Sequence, residues 1–427
     1  MLIGESVSFD KILYAELRDD IAPLSALVYA TVDLLFGRSQ WAFFIINIIM
    51  VFAQCVVLNQ MLISHKAYKE NTYIPALIYL LTMAMFFDFF SLSPLLMSSL
   101  FMLIVINGVF HHIVHKAKDE RFLNMGLSMG LAVLFYLPST IYLPLILLSL
   151  GLYSNLDLKK VILFIFGLLF PWVIVSVFFF WHGGLMEFWN YYFLSALSMS
   201  VQPLVNWSSL LIIGLPTLIL LVFSWLVIYG ASRFSNQQTN FLLVMLWYLV
   251  GSVIIFLLAK IRTPNLLMVF AIPAAFYLSH CFILMKRRFI AEILFTIFAV
   301  SILLINYGSL KGIFQLDDII PYEGILVDDN NWDQQVSGKK ILVIGTNLDA
   351  YRNAELSTPY LNWDLSRQQL EGLNSYNYLS EVYQQLSEDT PEVIIDQQGV
   401  MPGLLLHMPT IAARYRENTP GVYVLNN

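Results

Sequence analysis

The sequence predicts an all-α polytopic membrane bundle of about ten transmembrane helices, followed by a small C-terminal α/β soluble domain. Three observations carry this. First, 58% of the 427 residues are hydrophobic and only 12% are charged, against roughly 45–50% and about 25% in soluble globular domains. Second, the apolar residues gather into runs near the roughly 20 residues that a spanning helix needs. Third, the charge is segregated. Residues 311–427 carry 7 of the 23 basic and 16 of the 29 acidic residues, a net −9, which leaves +3 for the remainder. This composition excludes an ordinary soluble enzyme, a disordered chain and a nucleic-acid binder. Both cysteines, Cys55 and Cys281, lie inside apolar runs, so a disulfide framework is not expected.

Three parts follow in order: an outward N-terminal segment over 1–39, a transmembrane domain over 40–310 and an extracytoplasmic α/β domain over 311–427. In the first, 21–36 is apolar but short and interrupted by Pro23 and Asp33, which predicts an interfacial or re-entrant helix. Ten spans are expected over 40–64, 73–90, 94–114, 122–137, 139–153, 158–181, 208–230, 242–259, 264–285 and 288–310. The fourth and fifth meet at Leu137-Pro138-Ser139, either as two short spans or as one bent hairpin.

Alternate loops carry Lys66 and Lys69; Lys116, Lys118 and Arg121; Lys159 and Lys160; Arg233; and Lys286, Arg287 and Arg288. The positive-inside rule assigns these to the cytoplasm. The opposite loops near Asp88, Pro138 and 182–207 hold neither Lys nor Arg, and only Lys260 and Arg262 break the pattern. Ten spans put both termini outside, yet Met1–Asp20 has no apolar leader. The expectation is that one further helix precedes Met1.

In the tail, Lys340–Gly345 and Glu392–Asp396 read as buried parallel strands and Gly421–Leu425 as a third, with a helix over Tyr376–Leu386. Strand, helix, strand suggests a βαβ unit. Gly345-Thr-Asn after the first strand is neither GxGxxG nor a P-loop, so dinucleotide binding is not supported.

Four groups of residues can carry chemistry. Glu16, Asp19 and Asp20 stand just before the interfacial helix. A partly buried carboxylate there can act as a general base or hold a divalent metal ion. The plainer role is an N-cap for a helix starting near Ile21. Lys260 and Arg262 can snorkel to headgroups or grip a phosphate. His111 and His115 share a helical face, as metal-binding pairs do, but sit beside Lys116 and Lys118 where headgroup contact suffices. The outward segment Trp181–Tyr192 holds His182 and Glu187 among aromatics. It forms either an aromatic belt or a helix lining an acceptor groove. Asp88, at the outward end of the second span, is a further acidic candidate, or a helix end facing water.

Most of the chain resembles an uncharacterised family of bacterial polytopic inner-membrane proteins. Asp20–Tyr29 with Leu35–Ser39, Asn71–Tyr79, Phe87–Pro94, Thr358–Trp363 and Pro391–Asp396 carry the likeness. More distantly, the layout resembles the GT-C superfamily of membrane glycosyltransferases. Asp19 and Asp20 match that superfamily's acidic position, Pro23-Leu24 and Phe36-Gly37 its later loop elements, and Lys260-Ile-Arg262 its late basic loop. The superfamily's first helix and an Asp-x-Asp motif are missing here.

The GT-C resemblance implies transfer of a sugar from a polyprenyl-phosphate carrier to an acceptor on the outer face of the inner membrane. Asp20 or Asp19 would be the base or metal ligand, and Lys260 and Arg262 would serve the phosphate. A membrane subunit of an envelope assembly, docking partners through 311–427, is the alternative. A transporter is the third, opposed by the scarcity of ionisable residues at span centres.

Overall fold

In a computed structural model of the chain, residues 1–116, 118–154, 156–197, 202–230, 234–311, 332, 336–373 and 375–426 are described. Arg233 and residues 198–201 of the expected outward loop lie outside the described residues. The chain forms two compact units. One gathers Met1–Arg38, Val175–Ser198 and Leu326–Asn427; the other gathers Ser39–Ile174 and Met199–Ile325.

Among the described residues seven helices are long and apolar enough to cross a membrane. They are Gln40–Ser64, Pro94–His115, Leu158–Trp181, Trp207–Gly230, Asn236–Leu258, Pro264–Leu284 and Arg288–Gly308. The chain is thus a multi-pass membrane protein. The other three expected spans form shorter helices, each for a local reason. The second gives only Ile74–Met83, ten residues, or about 15 Å against the roughly 30 Å of a hydrocarbon core. Its backbone then turns extended at Phe86 and enters a 3₁₀ turn over Phe87–Phe90. The fourth is Asp119–Phe135, which ends where Tyr136 becomes extended ahead of Pro138. The fifth is a 3₁₀ turn over Leu137–Ile141 running into the helix Tyr142–Tyr153.

Close packing in the membrane unit rests on small residues. A Cβ on Gly126 would lie 2.0 Å from the Phe164 carbonyl oxygen, one on Gly130 2.4 Å from that of Leu168, and one on Gly167 2.4 Å from that of Leu123. Helices Asp119–Phe135 and Leu158–Trp181 therefore meet backbone to backbone, the contact that glycines four apart permit. Buried polar side chains add hydrogen bonds between segments. Gln54 donates to the Leu96 carbonyl at 2.7 Å and accepts from the Tyr79 hydroxyl at 2.5 Å.

In the other unit, the helix Pro23–Phe36 buries Ala26, Tyr29, Ala30 and Val32 and exposes Leu27, Leu34, Leu35 and Phe36. The exposed apolar residues recur at i, i+7 and i+8, a stripe suited to a membrane surface. Its inner side packs against the helix Leu2–Ser8, where a Cβ on Gly4 would sit 2.6 Å from the Tyr29 carbonyl oxygen. Ser8 donates to the Asp33 carboxylate at 2.8 Å.

The tail folds as a five-stranded sheet. Its strands are β3 (Lys340–Ile344), β4 (Glu355–Leu356), β5 (Val393–Asp396), β6 (Tyr415–Thr419) and β7 (Val422–Leu425), after the short β1 (Gln202–Pro203) and β2 (Ile261–Arg262) of the membrane unit. The order is β4-β3-β5-β7-β6. The pair β3 and β5 is parallel, with Ile341 opposite Val393 and Ile344 opposite Asp396. Helices Trp363–Leu370 and Tyr376–Glu388 lie between them in sequence, giving the expected crossover. The third expected strand, β7, pairs antiparallel with β5. Leu342, Ile344, Ile394, Trp363, Val382 and Leu386 form the core.

Candidate functional site

Residues 11–22 hold the acidic candidates, and their loop is fixed from several directions. Tyr14 takes a left-handed φ of 69°, a conformation that costs a non-glycine residue energy and persists only where its surroundings enforce it. Its amide donates to the Leu17 carbonyl at 2.8 Å and its hydroxyl to the Ile21 carbonyl at 2.6 Å. Its buried ring packs at 5.2 Å from Phe179, 5.6 Å from Phe188 and 6.3 Å from Tyr192. The aromatic segment read from sequence as a belt or groove wall thus supplies a cage that fixes the loop.

The loop is also bonded to the α/β fold. Lys11 pairs with Asp389 at 2.9 Å. The Arg18 amide donates to the Pro359 carbonyl at 2.9 Å, and the Asn362 amide to that of Arg18 at 3.3 Å. Arg38 pairs with Glu5 and donates to the Ala354 carbonyl at 2.6 Å.

Asp19 and Asp20 are half-buried and adjacent. Helix Pro23–Phe36 has Ala22 at its N-cap, with no side-chain cap and a proline in its first turn. The expected capping by Asp19 or Asp20 of a helix starting near Ile21 is therefore corrected. Pro23 needs no amide partner, which removes one of the donors a cap would serve. Asp19 instead accepts from the Ile21 amide, two residues on, at 2.8 Å. Asp20 accepts from the Asn362 side chain at 3.4 Å. Burial, and next the charge of Asp20, push the Asp19 carboxyl up to about 7. A carboxylate in that range can take and return a proton near neutrality.

Beside this pair lie groups that the sequence reading passed over. The Arg18 side chain is 5% exposed, and Nη2 reaches Glu381 at 2.5 Å. Its guanidinium lies over the Tyr360 ring, 4.9 Å from the centroid. Gln369 donates to the other Glu381 oxygen at 3.2 Å. Burial pushes the Tyr191 hydroxyl up; the charge of Arg18 opposes this, and those of Glu381 and Glu187 add to it. The one signal in the sequence was an arginine set among the carboxylates Glu16, Asp19 and Asp20.

Glu187 therefore belongs to this neighbourhood, with Oε2 buried and unbonded. His182 is exposed at the end of the helix Leu158–Trp181. It bonds the Phe178 carbonyl at 2.9 Å, and its ring lies tilted against that of Phe178, 4.4 Å between centroids.

Asp88, Lys260 and Arg262 belong to the membrane unit. The Asp88 carboxylate accepts from the Asn265 amide at 2.9 Å, at the start of the 3₁₀ stretch Pro264–Phe270. Burial raises its pKa. β2 carries Arg262 and pairs in parallel with β1, matching Pro203 with Arg262. The guanidinium lies 4.3 Å from the Trp207 ring centroid, and its Nε is buried without a partner. Lys260 is half-buried just ahead of β2.

His111 lies 4.9 Å from His115 and 5.9 Å from His65, ring to ring, and His65 bonds Asn107 at 2.8 Å. Among the described residues no group of three or more His, Cys, Asp or Glu is placed to hold a metal ion.

Residues 11–314 match the sequence profile of DUF6427, a family of unknown function. No curated protein matches. Among solved structures, the crystal structure of ArnT from Cupriavidus metallidurans bound to undecaprenyl phosphate superposes with a TM-score of 0.55 at 12% identity. The match covers 95% of this chain and 88% of that one. At that identity the likeness is one of fold.

Proposed function

We propose that this chain, which belongs to the DUF6427 family, is a glycosyltransferase that uses a polyprenyl-phosphate sugar. It works at the outer face of a bacterial inner membrane, with the α/β domain on that face. The observation that carries the reading is the Asp19–Asp20 pair, whose first member is held near neutrality. The pair stands on a caged loop in a chain whose fold is shared, over 95% of its length, with a protein crystallised with undecaprenyl phosphate.

An acceptor hydroxyl oxygen forms a bond to the anomeric carbon of the sugar. The bond from that carbon to the phosphate oxygen breaks, and its electron pair leaves with the polyprenyl phosphate. The hydroxyl proton passes to Asp19, acting as general base. Lys260 and Arg262, in the membrane unit, are basic groups suited to binding the phosphate of a lipid carrier. The stacking of Arg262 on Trp207 fixes its guanidinium plane for bidentate contact. Asp20 holds up the Asp19 proton affinity by like-charge repulsion.

The test is transfer by purified protein reconstituted in lipid with a radiolabelled polyprenyl-phosphate sugar. Transfer by the wild type and its loss in the Asp19→Asn, Asp20→Asn double variant support the reading. Full activity in that variant removes the assignment.

A further inference from the structure

In the unit that carries the acidic loop, several polar atoms are buried without partners, and four of them share one neighbourhood that the reaction above does not use. Arg18 is 4% exposed and its Nη1 has no hydrogen-bond partner. Tyr360 is 2% exposed and its hydroxyl has none either. The same holds for Gln369 Oε1 and Glu187 Oε2. These atoms share one neighbourhood. Arg18 stacks on Tyr360, Arg18 and Gln369 both bond Glu381, and the Tyr191 hydroxyl feels the charges of Arg18, Glu381 and Glu187.

A buried polar atom left unbonded costs free energy, so folded chains avoid gathering several together. A ligand that bonds them explains why they persist. Their chemistry states what it must offer. Arg18 Nη1 and the Tyr360 hydroxyl are donors; Glu187 Oε2 and Gln369 Oε1 are acceptors. Only a group that both donates and accepts fits all four, which is the property of a hydroxyl. The charge balance points the same way. Arg18 is already paired with Glu381, and Glu187 adds a further negative charge, so an anionic ligand meets repulsion.

We propose that Arg18, Tyr360, Glu187 and Gln369 form a binding site for a neutral carbohydrate or polyol. This site holds the acceptor of the transfer, a role that rests on the glycosyltransferase reading.

Binding is measured on the full-length protein in lipid nanodiscs, without donor, by saturation-transfer NMR. The probes are glucose, galactose, mannose and glycerol, with glucuronate and galacturonate as anionic counterparts. A neutral probe binds and its uronate does not. Tyr360→Phe weakens binding by about tenfold, the worth of one hydrogen bond at roughly 1.4 kcal/mol. It leaves the melting temperature of the unliganded protein unchanged or higher, because the lost hydroxyl had no partner. Arg18→Lys and Glu187→Gln weaken binding in the same way.

The binding assay contains no donor, so it reads the site apart from transfer. Saccharide binding by a protein that uses no prenyl-linked donor would therefore leave this site standing and remove the transferase reading. The inference is overturned if none of the neutral probes binds. Equal binding of the uronates, or an unchanged affinity in Tyr360→Phe, also overturns it, even in a protein that transfers sugar.

Discussion

Lys11 Nζ lies 2.9 Å from the Asp389 carboxylate and also donates to the Leu356 carbonyl at 3.3 Å. This pair bonds the first residues of the chain to the α/β fold that ends it. Burial alone would raise the Asp389 pKa; the Lys11 ammonium and the Thr358 amide reverse this and hold it below the usual carboxylate range. A depressed carboxylate pKa contributes stability at pH values above its unfolded value, and that stability is lost as pH falls through the folded value. Both side chains are about a quarter exposed, so a double-mutant cycle of Lys11→Met and Asp389→Asn should give a coupling of about 1 kcal/mol. Thermal unfolding of Lys11→Met should depend less steeply on pH below 5 than that of the wild type. An identical acid dependence would show that the pair does not couple the two segments.

Asp19 shows the opposite sign. Its folded pKa is raised above the unfolded value by burial and by Asp20. The protonated form is therefore favoured in the fold, and stability is lost as pH rises from the unfolded value through about 7. Asp19→Asn should raise the melting temperature by about 2 °C at pH 8 and leave it unchanged at pH 4. A melting temperature lowered at both pH values would mean that the carboxylate is a stabilising element, and its functional reading would lose ground.

Gly126, Gly130 and Gly167 give a packing prediction. The Cβ positions there lie 2.0 to 2.4 Å from carbonyl oxygens of the facing helix. Gly126→Ile cannot be absorbed by a rotamer change, because the obstruction is backbone. It should destabilise the membrane unit by roughly 1–3 kcal/mol or more, read as a lowered melting temperature or loss of folded protein. Gly151→Ala, where a Cβ would meet nothing within 4 Å, should be neutral and serves as the control. Equal stability of Gly126→Ile and wild type would contradict the close approach.

How much of this was legible in the sequence follows from what each signal depends on. Membrane class was legible because it depends on composition alone. The strands Lys340–Ile344 and Val393–Asp396 were legible because short Ile/Val-rich runs have few other uses. The number of full-length spans was not, since apolar content does not distinguish Ile74–Met83 followed by a 3₁₀ turn from one continuous helix. The pair Gly126 and Gly130 stood in the sequence as Gly-x-x-x-Gly, but its meaning depends on the Phe164 and Leu168 carbonyls that face it. Asp19 and Asp20 were visible as charges out of place. Arg18, Tyr360 and Glu381 were not, because they meet over separations of more than 300 residues.

The orientation proposed here has a direct test. Cys55 and Cys281 are buried, so the wild type offers a quiet background for thiol labelling. Tyr376, 83% exposed on the α/β domain, is a suitable position. Tyr376→Cys in intact spheroplasts should react with a membrane-impermeant maleimide. Reaction only after the membrane is permeabilised would place the domain in the cytoplasm, and with it the acidic loop.

The central claim is that Asp19 removes a proton from the acceptor during transfer. The measurement that bears on it most directly is the initial rate of labelled-sugar transfer between pH 5 and 9. The wild-type rate should rise with an apparent pKa of about 7, as Asp19 ionises. Asp20→Asn removes a like charge and should move that limb to lower pH. Asp19→Asn should abolish the limb and lower the rate at pH 8 by roughly 100-fold or more. A wild-type rate and an unmoved limb in Asp19→Asn would contradict the claim.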